Sequence, residues 1–291
     1  DPSVRGFKSR AKGMFGHLWT SLDLFNSFIL PPMSLSVVII TCNEAKNIQA
    51  CLESVSFASE LIVLDSLSSD ETVQIAREMG AQVHQTADFP GFGEQKNRAL
   101  DLINHPWVLN MDADERISKE LAQEIMGAIK GAEDRVSAFD VPRSTYFCGQ
   151  WIKHCGWTPD RVLRLFRADR ARFSDDKVHE RLVPKGRNYW DNGEIGHLST
   201  PMLHYSYLNP DDYWRKLRSY SQIWAQERHA LGQKTSMPRA FASAVFAFLR
   251  SYVFQRGFLD GAMGLAVCVM QAQGTFAKYF TLYCLNQKNH D

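Results

Sequence analysis

Trp107-Val-Leu-Asn-Met-Asp-Ala-Asp-Glu115 sets the class of fold expected for this sequence. An apolar run ends abruptly in three acids within four residues. Short continuous apolar runs mark strands buried on both faces of a parallel sheet. Open α/β sheets bind their ligands just beyond the carboxyl ends of such strands. Asp112 and Asp114 at that edge are spaced to share a divalent cation and a phosphate-bearing ligand. Their hard oxygens suit Mg2+ or Mn2+, which hold few carboxylates and complete their shell with phosphate oxygens and water. Alone, the same stretch also reads as a solvated acidic turn before a helix capped by Ser118, so its neighbours decide.

Working outward, residues 35–41 (Leu-Ser-Val-Val-Ile-Ile-Thr) read as a buried strand. Asn43 is placed to cap the helix that follows, in which Ile48, Leu52 and Val55 recur at helical spacing. Residues 61–64 form a second strand ending at Asp65. Ser68 with Glu71 makes a capping box, Val73, Ala76 and Met79 give the buried stripe, and Gly80 closes that helix. A short third strand covers 81–85, a helix 94–103 follows the Pro-Gly-Phe-Gly turn, and 107–111 is the fourth strand. Ser118 caps a further helix carrying Leu121, Ile125 and Ile129 and stopping near Gly131. Strands alternating with helices at this spacing predict a mostly parallel α/β sheet with right-handed crossovers.

From Val136 the pattern changes. Strands are expected at 136–142, 162–166, 179–183 and 201–205, with a loop rich in Trp, Gly and Cys over 146–157. From Asp211 the chain reads as helical, broken around 232–238 and 257–264. The organisation expected is a leader at 1–32, a catalytic domain at 33–208 (donor half 33–135, acceptor half 136–208), and a helical, membrane-associating region at 209–291. Met33 follows Pro31-Pro32 and reads as the natural start.

The composition is 45% hydrophobic and 22% charged with a formal net charge of +1, which gives no global reason to expect nucleic acid. Six scattered cysteines form no C-x-x-C pair and read as ordinary reduced thiols. The apolar-rich stretch 15–30 is interrupted by His17 and Asp23 and makes a poor signal peptide. No run of eighteen clearly apolar residues predicts a spanning helix.

The strand ends together supply Thr41, Cys42, Asn43 and Glu44, then Asp65 and Ser66, then Asp112 and Asp114. Between them, Gly93-Glu-Gln-Lys-Asn-Arg98 puts two cations at a helix start, where anions bind readily. One rim thus offers polar groups for a base or ribose, cations for a diphosphate and carboxylates for a metal: a nucleotide-diphosphate site in outline. No G-x-G-x-x-G follows the first strand and no G-x-x-x-x-G-K-[ST] occurs, which excludes a dinucleotide Rossmann site and a P-loop.

In order, Ser36-Val-Val-Ile-Ile-Thr-Cys-Asn-Glu44, Ile62-Val-Leu-Asp-Ser-Leu-Ser-Ser-Asp-Glu-Thr72, Gly93-Glu-Gln-Lys-Asn-Arg98 and Asn110-Met-Asp-Ala-Asp-Glu115 resemble an inverting family 2 glycosyltransferase of the GT-A fold. The second half, through Gly156-Trp-Thr-Pro-Asp160, Arg164-Leu-Phe-Arg167, Val178-His-Glu-Arg181, Leu203-His-Tyr205 and Arg256-Gly-Phe-Leu-Asp-Gly261, is similar to the lipopolysaccharide-core β-1,4-glucosyltransferases. The resemblance implies that Thr41, Asn43, Glu44 and Asp65 hold the uridine of a UDP-sugar and Lys96 its diphosphate. It implies that Asp112 faces ribose and metal, that Asp114 binds the metal, and that His204 stands where a late metal-binding histidine is found. His204 reads equally as a buried strand histidine between Leu203 and Tyr205.

An inverting transfer needs a base on the acceptor hydroxyl. Glu180, Asp160, Asp175 and Asp176 are candidates; Val178-His-Glu-Arg181 favours Glu180, with Asp160 in reserve. The metal motif is Asp-Ala-Asp rather than Asp-x-Asp-Asp, and no Gln-x-x-Arg-Trp occurs, which speaks against a processive synthase. The expected activity is metal-dependent, inverting transfer of one hexose, glucose first, to a heptose of lipopolysaccharide inner core. Transfer to a peptide side chain or another glycolipid is the alternative within the fold, and a membrane-docked binding module the non-enzyme one. A sugar-1-phosphate nucleotidyltransferase should carry a Gly-rich basic loop where Asn43-Glu44 stands.

Trp151 and Trp157, in a loop with Gly149 and Gly156, are the best candidates for platforms under acceptor sugars. Between 215 and 256 lie Arg215, Lys216, Arg218, Arg228, Lys234, Arg239, Arg250 and Arg256 against one acid, Glu227, interleaved with Phe241, Val245, Phe246, Phe248, Leu249, Tyr252, Val253 and Phe254. That pattern predicts peripheral, monotopic attachment to anionic lipid on the cytoplasmic side of an inner membrane. A helical cap burying the same apolar face on the catalytic domain is the competing reading.

Overall fold

The computed structural model describes residues 33–158, 160–174 and 180–287; the expected leader, and Asp175, Asp176 and His179, lie outside the described residues. Strands β1 (Met33–Thr41), β2 (Ala58–Asp65), β3 (Gln82–Gln85) and β4 (Trp107–Asp112) alternate with helices α1 (Ala45–Ser54), α2 (Thr72–Glu78) and α3 (Phe92–Leu100). The four strands run parallel in the order β3-β2-β1-β4. Their apolar runs are continuous because both faces are covered. Leu35, Val37 and Ile39 of β1 pack with Ile48 and Leu52 of α1 and with Leu121 and Ile125 of α4 (Lys119–Gly131). Val38 points the other way, to Ile62, Val108 and Ala99 of α3. Register sets Thr41 beside Asp65 and Ile40 beside Asp112, so the polar ends of three strands meet at one edge.

The second half adds to the same sheet. β5 (Glu115–Arg116) is a two-residue strand directly after the acidic motif; β6 (Ala138–Phe147), β7 (Gln150–Ile152), β8 (Asp160–Arg167), β9 (Ala171–Phe173), β10 (Leu182–Pro184), β11 (Ile195–His197) and β12 (Met202–Tyr207) follow. The sheet continues β4-β8-β6-β12-β5, with β8 antiparallel to both neighbours and β12 parallel to β6. One sheet therefore runs through both expected halves. Strands β5, β7, β9 and β11 were not expected: each has two or three residues, too few for a period-2 pattern to register.

Two expected caps are corrected. Asn43 takes a left-handed backbone (φ 58°) and gives its side-chain oxygen to the Ser69 N–H at 2.8 Å, leaving Glu44 to begin α1 without a side-chain cap. Ser68 makes no capping box with Glu71, because its N–H and hydroxyl both go to Asp65. Ser118 does cap α4, accepting from the Leu121 N–H at 3.2 Å.

The C-terminal part is helical: α5 (Pro210–Ala230), α6 (Met237–Leu249) and α7 (Gly261–Gln287), the last two joined by a π turn (Arg250–Phe254) and a 3-10 turn (Gly257–Asp260). Both breaks fall where the glycines and Pro238 predict them. Asp260 ties this region to the sheet: its carboxylate accepts the Lys153 and His154 N–H groups at 3.1 and 2.8 Å and meets the His154 ring at 2.8 Å. Helix α6 buries only Ala240, while Phe241, Val245 and Phe246 stay exposed. Among the described residues no single helix is long and apolar enough to cross a membrane; the pair Met237–Phe254 and Gly257–Gln287, bent by 70°, passes that test together by length and composition.

Candidate active site

The acidic motif is held by a buried arginine. Val108 and Phe166 share one core, so strand alternation puts Asn110, Asp112 and Arg164 on that same face, one step nearer the strand ends. The Arg164 guanidinium donates to Asp112 Oδ2 at 2.5 Å, Glu115 Oε1 at 2.6 Å and Asn110 Oδ1 at 3.1 Å. Glu115 is fully buried, and its second oxygen accepts the Asp112 N–H at 2.9 Å. Burial alone would push the Asp112 carboxyl up; Arg164 and then Lys96 overrule it and hold the group well below the usual carboxylate range. Asp112 nevertheless keeps a third of its side-chain surface open to the cleft.

Lys96 reaches the same carboxylate from α3. Each polar residue of Gly93–Arg98 has its own task. A side chain at Gly93 would meet the Ser174 carbonyl at 2.0 Å, so glycine lets α3 approach the chain just beyond β9. Asn97 clamps that chain, exchanging two 2.9 Å bonds with the Phe173 backbone. Gln95 bonds Ser66 and Thr86. Lys96, 3% exposed, sets its ammonium 2.8 Å from Glu180 Oε1 and 3.4 Å from Asp112 Oδ1. Arg98, expected as a second cation here, points outward to Asp88 at 2.8 Å; a helix turns positions two residues apart to different faces. One cation, not two, serves the site from this helix.

Asp114 is positioned by the short β5–β12 ladder, which pairs Glu115 with His204. Its Oδ2 lies 3.5 Å from His204 Nε2 and 3.4 Å from Lys216 Nζ, the latter on α5. Burial again would raise this carboxyl, yet His204 and Lys216 hold it at about 2. His204 Nδ1 is buried and has no hydrogen-bond partner. Lys216, expected among the membrane-facing cations, belongs instead to this site, where Ser206 also accepts from it at 3.2 Å.

Among the described residues no three His, Cys, Asp or Glu side chains are close enough to cage an ion by themselves. Asp114 and His204 are spaced as neighbouring ligands of one octahedral ion, which stand about 3 Å apart. One hard carboxylate and one imidazole with open space beside them fit Mg2+ or Mn2+ completed by phosphate oxygens and water.

The residues expected around the base divide into two groups. Thr41 and Glu44 line the cleft. Burial raises the Glu44 carboxyl above its ordinary value, against the hydrogen bond from Asn47. Asp65 is fully buried and accepts from Thr41, Ser68 and Gln85, while Asn43 is spent on Ser68 and Ser69. In this structure these two residues shape the rim and do not face the cleft.

The cleft itself has a volume of about 1320 Å³. Glu180 lines it and Asp160 does not; Asp160 is turned to Arg143 at 2.5 Å. Trp151 packs on Tyr146 and Tyr205 away from the cleft, and Trp157 on Phe147 and Tyr207. Arg164 and Lys216 were missed as site residues, as were Tyr220, Trp224 and Lys278, which bring α5 and α7 into the cleft wall. Arg164 had a signal: an arginine inside Val162-Leu-Arg-Leu-Phe166 must be buried with an acid. The helical residues had none, because helix packing, not local pattern, brings them here.

The family described as Glycosyl transferase family 2 matches residues 36–182. The chain is 29% identical over 280 residues to the lipopolysaccharide core biosynthesis glycosyltransferase LpsC of Rhizobium meliloti (strain 1021), covering 89% of this chain and 97% of that one. An uncharacterized glycosyltransferase of Rickettsia bellii (strain RML369-C) is 30% identical over 265 residues, 87% of this chain and 86% of its own. A solved structure of glucosyl-3-phosphoglycerate synthase from Mycobacterium tuberculosis aligns over 39% of this chain and 43% of that one at 26% identity, with a TM-score of 0.32, too partial a likeness to carry weight.

Proposed function

The chain belongs to glycosyl transferase family 2 and is a transferase; on that footing we propose that it moves one hexose, glucose first, from a UDP-sugar to a heptose of lipopolysaccharide inner core, with inversion and with a divalent cation. The observation that carries this reading is the chain Asp112–Lys96–Glu180, in which one buried ammonium sits between two carboxylates at the strand ends. The similarity to LpsC supports the acceptor class.

In this mechanism Thr41 and Glu44 border the nucleoside end. The diphosphate takes over Lys96 and thereby frees Glu180. The freed carboxylate accepts the proton of the acceptor hydroxyl as its oxygen bonds to the anomeric carbon, while the bond to the diphosphate breaks and its electron pair leaves with UDP. Asp114 and His204, with Asp112 on the same rim, would hold Mg2+ or Mn2+, which would supply charge neutralisation on the leaving diphosphate. Arg164 and Glu115 keep Asp112 oriented. Glu180 is preferred to Asp160 as the base because, of these two described candidates, Glu180 borders the cleft.

The protein works attached peripherally to the cytoplasmic face of an inner membrane. Support comes from Phe241, Val245, Phe246, Leu249, Val253 and Phe254, exposed by 44–75% along α6 and the π turn, with Arg256 beside them. Phe248 and Tyr252 stack on each other and pack inward, so the outward set forms one face. Anionic lipid attracts each basic residue near it by roughly 1 kcal/mol.

The test is calorimetric titration of UDP and UDP-glucose with and without Mn2+. Metal-dependent binding that Asp114→Ala weakens supports the reading; equal binding in excess chelator rejects it.

A further inference from the structure

A second cavity of about 830 Å³ lies among α5, α6, α7 and residues 155–157. Tyr207, Lys216, Tyr220 and Lys278 line both it and the first cleft, so they form the wall between the two. The cavity lining carries four cations, Lys216, Arg239, Arg250 and Lys278, and no carboxylate. Lys216 is committed to Asp114, and the Arg239 guanidinium lies over the Tyr279 ring at 5.9 Å. The Arg250 and Lys278 side chains have no hydrogen-bond or ion-pair partner among the described residues. Burial pushes the Lys278 ammonium below the usual lysine range. A concave, one-signed lining concentrates anions.

Two further features narrow the ligand. Trp157, Tyr213 and Tyr279 offer ring surfaces on the cavity wall, where the apolar faces of sugars can lie. Phe246 belongs both to the lining and to the exposed apolar face of α6, so the cavity mouth opens on that face. A ligand entering there meets apolar surface first, cations and aromatic rings next, and the donor cleft last.

We propose that this cavity receives the anionic saccharide head of an amphiphilic acceptor, its phosphate or carboxylate groups on Arg250, Arg239 and Lys278, and its reacting hydroxyl directed past Lys278 into the donor cleft. The proposal rests on the reading of that cleft as a transferase site and adds where, and by what charges, the acceptor is held. The neutral parts of the head lie against the rings, and the lipid portion stays outside along α6.

The experiment uses the full chain with detergent-dispersed, phosphorylated lipopolysaccharide core as acceptor, before and after chemical removal of its phosphates. Arg250→Ala should raise the acceptor KM by about ten-fold or more, the loss of one charge-assisted contact. Arg250→Glu should raise it further and Arg250→Lys should largely restore it, with kcat and UDP binding unchanged in all three. Dephosphorylation should weaken the wild type at least as much as Arg250→Ala does and should weaken that variant less than it weakens the wild type. An unchanged KM in Arg250→Glu overturns the proposal, as does an equal loss with phosphorylated and dephosphorylated acceptor. So does an effect confined to binding of phosphatidylglycerol vesicles, which would assign these cations to bulk lipid. Wild-type protein that neither binds UDP nor transfers sugar would instead overturn the reading of the cleft.

Discussion

Removing the Arg164 guanidinium is the most informative single perturbation of the scaffold. Arg164→Met keeps the length and apolar stem of the side chain and deletes three hydrogen bonds, to Asp112, Glu115 and Asn110. Glu115 then remains fully buried, with the Asp112 N–H and Arg143 at 3.5 Å as its remaining polar contacts. Leaving one partner of a buried ion pair uncompensated costs about 3–5 kcal/mol, which lowers the melting temperature by roughly 6–15 °C for a chain of this size. Neutralising the orphan should recover much of that loss, so Arg164→Met/Glu115→Gln is expected to be more stable than Arg164→Met alone. Urea and thermal unfolding followed by tryptophan fluorescence measure both. A melting temperature within about 2 °C of wild type, or a double variant whose losses simply add, would refute the role given to this pair.

Asp114→Ala should abolish transfer, by roughly three decades or more, as should a chelator added to wild type; initial rates with radiolabelled donor read both. Glu180→Gln should lower kcat by about two to four decades with UDP affinity retained, and Asp160→Asn should stay near wild type; the reverse pattern would return the base to Asp160. At Glu60 burial alone would raise the carboxyl pKa, but the hydrogen bonds from Ser36 and Asn104 hold it below its ordinary 4.5. A depressed folded pKa gives stability that is full above the unfolded value of about 4.5 and lost as pH falls from there through the lower folded pKa. Glu60→Gln should therefore be less stable than wild type at pH 7, by about 1–3 kcal/mol, with the gap closing below pH 4; a gap constant from pH 3 to 7 in urea midpoints would contradict this. Val245→Glu/Phe254→Glu should stop the chain floating with phosphatidylglycerol vesicles, whereas high salt should weaken wild-type flotation without ending it.

How much the sequence disclosed depended on the range of the interactions. The four parallel strands and the ends that carry Thr41, Asp65 and Asp112 follow from runs that must be buried on both faces, and these were legible. Lys96 stands 3.4 Å from Asp112 and His204 3.5 Å from Asp114 at the strand-end edge. Local caps misled: Asn43 and Ser68 have the chemistry to cap a helix, but the loop geometry spends them on Ser69 and Asp65. Arg98 and Lys96 look alike in sequence and differ only in the helix face they occupy. Lys216 and Lys278 enter the cleft wall through the packing of α5 and α7, which no periodicity within either helix encodes.

The proposed reaction is metal-assisted, inverting transfer from a nucleotide sugar at the strand-end cleft. Its most direct test incubates the full chain with UDP-glucose, Mn2+ and a heptose-terminated core acceptor and reads the anomeric configuration of the product by proton NMR. A single β-linked hexose, absent with excess chelator and absent with Asp114→Ala, is the predicted result. An α-linked product, or undiminished transfer in the chelator, would contradict the account.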